Sequence, residues 1–94
     1  MDLDIPELTD EQFEEVTQAA ENAARKHVFS QVNQKRVDKL NISVEAEGTK
    51  PVYFTVEVDL ALLPDAEGLD EKALASEAVA EAFKAIDAYL RKLT

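Results

Sequence analysis

Between residues 37 and 60 the chain alternates apolar and polar side chains, and this stretch is the only sheet it can clearly make. Val37, Leu40, Ile42, Val44 and Ala46 alternate with Asp38, Lys39, Asn41, Ser43, Glu45 and Glu47. After Gly48-Thr49-Lys50-Pro51 the pattern resumes, with Val52, Phe54, Val56, Val58 and Leu60 set against Tyr53, Thr55, Glu57 and Asp59. A period of two with β-branched residues on one face is the pattern of a half-buried antiparallel hairpin. The constraint is severe. Two strands alone are marginal in water and expose backbone donors and acceptors along both edges. The rest of the chain must therefore cover the apolar face, and the open edges invite a further strand.

Amphipathic segments on either side supply the cover. Thr9 and Gln12 have the spacing of a capping box, and Asp10 and Glu11 suit the positive end of a helix dipole. Phe13, Val16, Ala20, Ala23, Ala24, His27 and Val28 then recur at steps of three and four, predicting a helix to about Phe29 or Gln31. Asn33 and Gln34 close it in a short polar connection. After Leu60, the stretch from Ala61 to Gly68 is punctuated by Pro64 and reads as a loop, in which Leu62 and Leu63 are out of place. Asp70 is the expected N-cap of a second helix to about Leu93, with a stripe of Leu74, Ala75, Ala78, Val79, Ala82, Phe83, Ile86, Tyr89, Leu90 and Leu93. Glu21 with Arg25, and Asp87 with Arg91, make i,i+4 pairs on the opposite faces. The expected fold is α+β in the order α-β-β-α, an antiparallel hairpin with both helices on one face. Residues 1–94 form one domain in this reading, with residues 1–8 as an N-terminal arm interrupted by Pro6.

Two hairpin loops keep both apolar rows on one face. A three-residue Gly48-Thr49-Lys50 loop pairs Val44 with Phe54 and Ile42 with Val56, and sets Lys39 opposite Asp59 and Glu45 opposite Tyr53. A five-residue loop brings Asn41 rather than Lys39 beside Asp59. The tighter loop is the expectation here, since it sets no like charges directly across the ladder.

Composition narrows function mainly by exclusion. Hydrophobic residues are 46% and charged residues 32% of 94, as in a soluble globular domain. The uncharged apolar run from Leu60 to Pro64 is far short of the ~20 residues of a bilayer span. Asp2, Asp4 and Glu7 interrupt any signal-peptide pattern, and a cytoplasmic location is the simplest expectation. A formal net charge of −10 argues against independent nucleic-acid binding and for a basic protein partner, if the partner is charged. With no cysteine, one histidine (His27) and two glycines (Gly48 and Gly68), the chain lacks the materials of a thiolate metal site or a phosphate-binding loop. The carboxylates of Glu45, Glu47, Glu57 and Asp59 read as a solvated sheet face. Arg25, Lys26, Lys35, Arg36 and Lys39 lack interleaved aromatics for base stacking. The expectation is no enzyme, no catalytic residue, no metal and no cofactor.

What remains is assembly. Pairing a strand edge with a second copy or a paralogue would extend the sheet to four strands under four helices. Leu3 and Ile5, as an arm that joins the sheet, and Tyr53 and Thr55, on the outward face, are the interface candidates. A homodimer or a heterodimer with a paralogue is favoured over a monomer, because short hairpins are weak alone.

Several segments also carry a family resemblance. Ala19-Ala20-Glu21-Asn22-Ala23-Ala24 leads into His27-Val28-Phe29-Ser30. The strands Leu40-Asn41-Ile42-Ser43-Val44-Glu45 and Phe54-Thr55-Val56-Glu57-Val58-Asp59 follow, then Glu81-Ala82-Phe83-Lys84-Ala85-Ile86-Asp87. Together they resemble a small archaeal family of uncharacterised proteins, typically encoded beside the prefoldin β subunit. The α-β-β-α order is also similar to most of the small dimer-forming subunit of KEOPS, the complex that makes threonylcarbamoyl-adenosine in tRNA. That subunit has an additional leading strand, where this chain offers only Leu3 to Leu8. The resemblance implies a non-catalytic accessory subunit, or alternatively a prefoldin-associated protein-homeostasis factor binding through Leu62, Leu63 and other apolar groups.

Overall fold

The computed structural model describes residues 8–48, 52–64, 68 and 70–93. Helix α1 (Asp10–Gln31) is followed by a 3-10 turn at Gln34–Arg36, strands β1 (Val37–Glu47) and β2 (Tyr53–Leu62), and helix α2 (Glu71–Lys92). The fold is α+β, and both helices lie against the same hairpin. A 22-residue helix spans about 33 Å and an 11-residue strand about 37 Å, so helices and hairpin match in length.

Each helix starts where its sequence provides a cap. The Thr9 hydroxyl accepts from the Gln12 amide at 3.1 Å, and the Gln12 side chain accepts from the Thr9 amide at 2.9 Å. The Asp70 carboxylate accepts from the amides of Lys72 and Ala73. The reciprocal box and the carboxylate cap satisfy donors that the first helical turn leaves open.

The deepest part of the core lies between the helices. Val16, Ala20, Ala24 and Val28 of α1 are completely buried, as are Ala78 and Ala82 of α2, whose ridge Leu74, Ile86 and Leu90 complete. Both ridges follow a spacing of four, and such ridges interdigitate when helices pack. Phe83, expected in the buried stripe, is instead 43% exposed. It lies about 100° around the helix from Ala82, beyond the edge of the ridge. Links between the far ends confirm that the helices run antiparallel: Tyr89 reaches Glu15, and His27 reaches Glu77.

The hairpin departs from the expected register. Ile42 pairs with Val58, Val44 with Val56, Ala46 with Phe54 and Glu47 with Tyr53, leaving five residues in the connection. The tighter loop would have set Pro51, which has no amide donor, directly across from Glu47 at the end of the ladder. Asn41 now faces Asp59, and no like charges are directly opposed. Lys39 faces Ala61 yet still reaches diagonally to Asp59 at 2.8 Å. A register shift between Val37 and Lys39 makes Asp38 an extra residue. This bulge lets Val37 join Leu40 on the inner row although the two are an odd number of residues apart.

Leu62 and Leu63 also read differently in the fold. Leu62 closes β2, packs against the core and donates its amide to the Glu71 carboxylate at 3.0 Å. The Leu63 amide donates to the Arg36 carbonyl at 2.8 Å, tying the hairpin base to the turn before it.

The helix ridges make a stability prediction. Ala24→Leu forces three extra heavy atoms into a fully buried position and should cost about 1–3 kcal/mol by urea unfolding. Ala80→Leu, on the exposed side of α2, should change stability by less than about 0.5 kcal/mol.

Candidate interaction surface

Strand alternation sends Asn41, Ser43, Glu45, Glu47, Tyr53, Thr55, Glu57 and Asp59 outward, all exposed, with Lys39 beside them. Tyr53 is 67% exposed and lies across from Glu47 near the hairpin tip, with Thr55 across from Glu45. The structure thus brings two of the four interface candidates onto one surface. Leu3 and Ile5, and the arm that contains them up to residue 7, lie outside the described residues.

The inner face is only partly covered. Leu40, Ile42, Val44, Phe54, Val56 and Val58 are half-buried, and Leu60 is the buried member of the row. The cause is topological. Among the described residues the sheet has the order β1-β2, so each strand has a described neighbour on one side only. Side chains under α1 and α2 are roofed but remain open at the flank.

Among the described residues, electrostatics on this surface are organised around Lys39. The Lys39 ammonium hydrogen-bonds to the Asp59 carboxylate, and that bond, with the attraction between the charges, raises the lysine above its ordinary 10.5. Elsewhere the basic cluster is spread out. Arg25 is engaged with Glu21 at 2.7 Å along α1, and Lys35 stands in the polar turn. His27 Nε2 lies 3.0 Å from the Glu77 carboxylate and joins the two helices. Among the described residues, no three His, Cys, Asp or Glu side chains come together in a way that could hold a metal ion. No helix among them is long and apolar enough to cross a membrane.

One link had no local signal in the sequence. The Tyr89 hydroxyl donates to Glu15 Oε2 at 2.5 Å, across the seam between residues 74 positions apart. This bond, reinforced by burial and by the negative charges of Glu15 and Glu11, pushes the phenol up to about 12. Only the amphipathic stripe hinted at Tyr89. Its partner became identifiable once the antiparallel packing of the helices was set.

The match to known proteins covers nearly the whole of this architecture. Residues 5–89 match the family described as protein of unknown function, DUF3194. The chain belongs to that family. It is 31% identical over 91 residues to an uncharacterised protein of Thermococcus kodakarensis, across 97% of this chain and 83% of the relative. A crystal structure from Thermococcus onnurineus NA1 superposes with a TM-score of 0.77 at 24% identity, covering 96% of this chain and 86% of the other. The solution structure of a hypothetical protein from Methanothermobacter thermautotrophicus gives 0.68 at 20% identity, covering 96% and 97%. These two likenesses establish a shared fold. The family is uncharacterised and these relatives are archaeal, in keeping with the resemblance to a small archaeal family of uncharacterised proteins.

Alkaline behaviour tests the seam. The folded pKa of Tyr89 is raised above the ordinary 10.0, so its contribution is intact below pH 10 and is lost as pH rises towards about 12. Lys39, raised likewise, loses its contribution as pH climbs above the ordinary lysine value. Tyr89→Phe should therefore flatten the fall in stability between pH 10 and 12, measured by urea unfolding at stepped pH. In the parent protein, phenolate absorbance should show a late step towards pH 12 that Tyr89→Phe removes.

Proposed function

We propose that this DUF3194 protein is a non-catalytic assembly module of the cytoplasm that pairs with another protein, strand against strand, through a free edge of its hairpin. One observation carries the reading: among the described residues the sheet has two strands and an open edge on each, and its apolar row stays half-buried beneath two helices. A strand added at an edge satisfies backbone donors and acceptors and closes the exposed flank of that row. The outward row then fixes which partner fits, because its charges must be matched.

The family resemblance extends the proposal to process. The similarity of the α-β-β-α order to the small dimer-forming subunit of KEOPS supports a role as an accessory subunit in tRNA threonylcarbamoyl-adenosine formation. The partner is then a second copy of this chain or that paralogue. Support for a prefoldin-associated role is thinner, because Leu62, one of its proposed contacts, is engaged at the end of β2.

Purifying the tagged chain at native expression level from an archaeal host tests this. The expected result is stoichiometric recovery of the KEOPS small subunit, with no threonylcarbamoyl transfer by the chain alone. Recovery without any KEOPS component would remove the link to tRNA modification. Transfer activity in the isolated chain would overturn the non-catalytic reading.

A further inference from the structure

We infer that the pairing edge is that of β1, and that its occupant is a second copy of the chain lying antiparallel with Ile42 on the two-fold axis. This rests on the strand-pairing proposal above and adds the strand, the register and the partner.

The register follows from the order of residues along β1. Its eleven residues run from Val37 to Glu47, so laying the strand on its own copy with full overlap puts the midpoint, Ile42, opposite the partner's Ile42. Leu40 then faces the partner's Val44, keeping the inner row apolar on both sides of the axis. On the outer row Asn41 faces the partner's Ser43, and Lys39 faces the partner's Glu45. Two-fold symmetry produces each of these pairs twice. Opposite charges and polar pairs placed directly across strands are the stabilising combination. Lys39 would lie between Asp59 of its own chain and the partner's Glu45, so the cation serves both sides of β1. The paired stretch from Lys39 to Glu45 also avoids the bulge at Asp38. Sliding the copy by two residues would set Leu40 against Ala46 and Asn41 against Glu45, a poorer match on both faces.

The β2 edge offers no such solution. Its outward row is Tyr53, Thr55, Glu57, Asp59 and Ala61, without a cation. The face-matched registers of greatest overlap bring Glu57 against the partner's Glu57, or against its Asp59. Directly opposed like charges destabilise an antiparallel pair.

The chain contains no cysteine, so introduced thiols report only on designed positions. In the full chain, Asn41→Cys/Ser43→Cys should oxidise to a covalent dimer. The two thiols of one strand are too far apart to bridge each other. Thr55→Cys/Glu57→Cys on β2 should remain uncrosslinked. Light scattering over a concentration series should give twice the 10.4 kDa chain mass. Glu45→Lys should weaken dimerisation roughly tenfold by setting two lysines opposite each other twice, and Lys39→Glu/Glu45→Lys should restore it. A dimer that crosslinks through β2, or ignores the charge swaps, would overturn the β1 assignment and leave strand pairing standing. A monomer at every concentration, with its circular dichroism intact, would overturn self-pairing. Recovery of the KEOPS subunit would then decide separately whether the wider proposal survives.

Discussion

Along the seam between α1 and α2, alanines at Ala20, Ala24, Ala78 and Ala82 leave no large side chain to hold the helices apart. Close approach brings backbone and Cβ surfaces into contact, and the longer Val16, Val28, Leu74, Ile86 and Leu90 close the seam at its ends. The other elements depend on this contact. A single helix would cover one strand and leave the other bare. The pair makes a roof wide enough for both, and its length matches the hairpin beneath it. Polar links such as Tyr89 to Glu15 and His27 to Glu77 lie at the borders of the seam and fix its direction.

The hairpin is correspondingly the less self-sufficient half. Its inner row packs upward onto the helices, but among the described residues neither strand has an outer neighbour, which leaves the row open at its side. The outward face adds a second restriction. Dominated by carboxylates, in a chain of net charge −10, it resists stacking against another copy of itself face to face. Edge contact is the geometry that combines backbone pairing with apolar continuity while keeping these carboxylates in water. Among the described residues Lys39 is the lysine of that face, and it is the feature that distinguishes one edge from the other.

Much of the fold was legible because it depends on local rules. The capping box at Thr9 and Gln12, the Asp70 cap and the ion pairs of Arg25 and Arg91 each involve residues within one helical turn. Strand alternation likewise identified which residues face inward. The register was less legible. Charge pairing favoured the tighter loop, yet Lys39 meets Asp59 directly in that register and reaches it diagonally in the observed one, so that signal did not discriminate. The missing amide of Pro51 was the better clue. Leu62 and Leu63 looked misplaced because β2 was ended too early, at Leu60; the bulge at Asp38 extends the inner row at the hairpin base. The outward position of Tyr53 and Thr55 followed from alternation alone.

By itself, then, the sequence determined the element types, their order, their caps and the inner and outer faces of each, because periodicity and capping act over a few residues. Tertiary structure decided which stripe residues are buried, leaving Phe83 exposed, and it also chose the hairpin register and joined Tyr89 to Glu15. Those outcomes depend on how elements distant in the chain approach one another. That approach is set by the summed packing of both helices on the hairpin, which no local window of sequence contains.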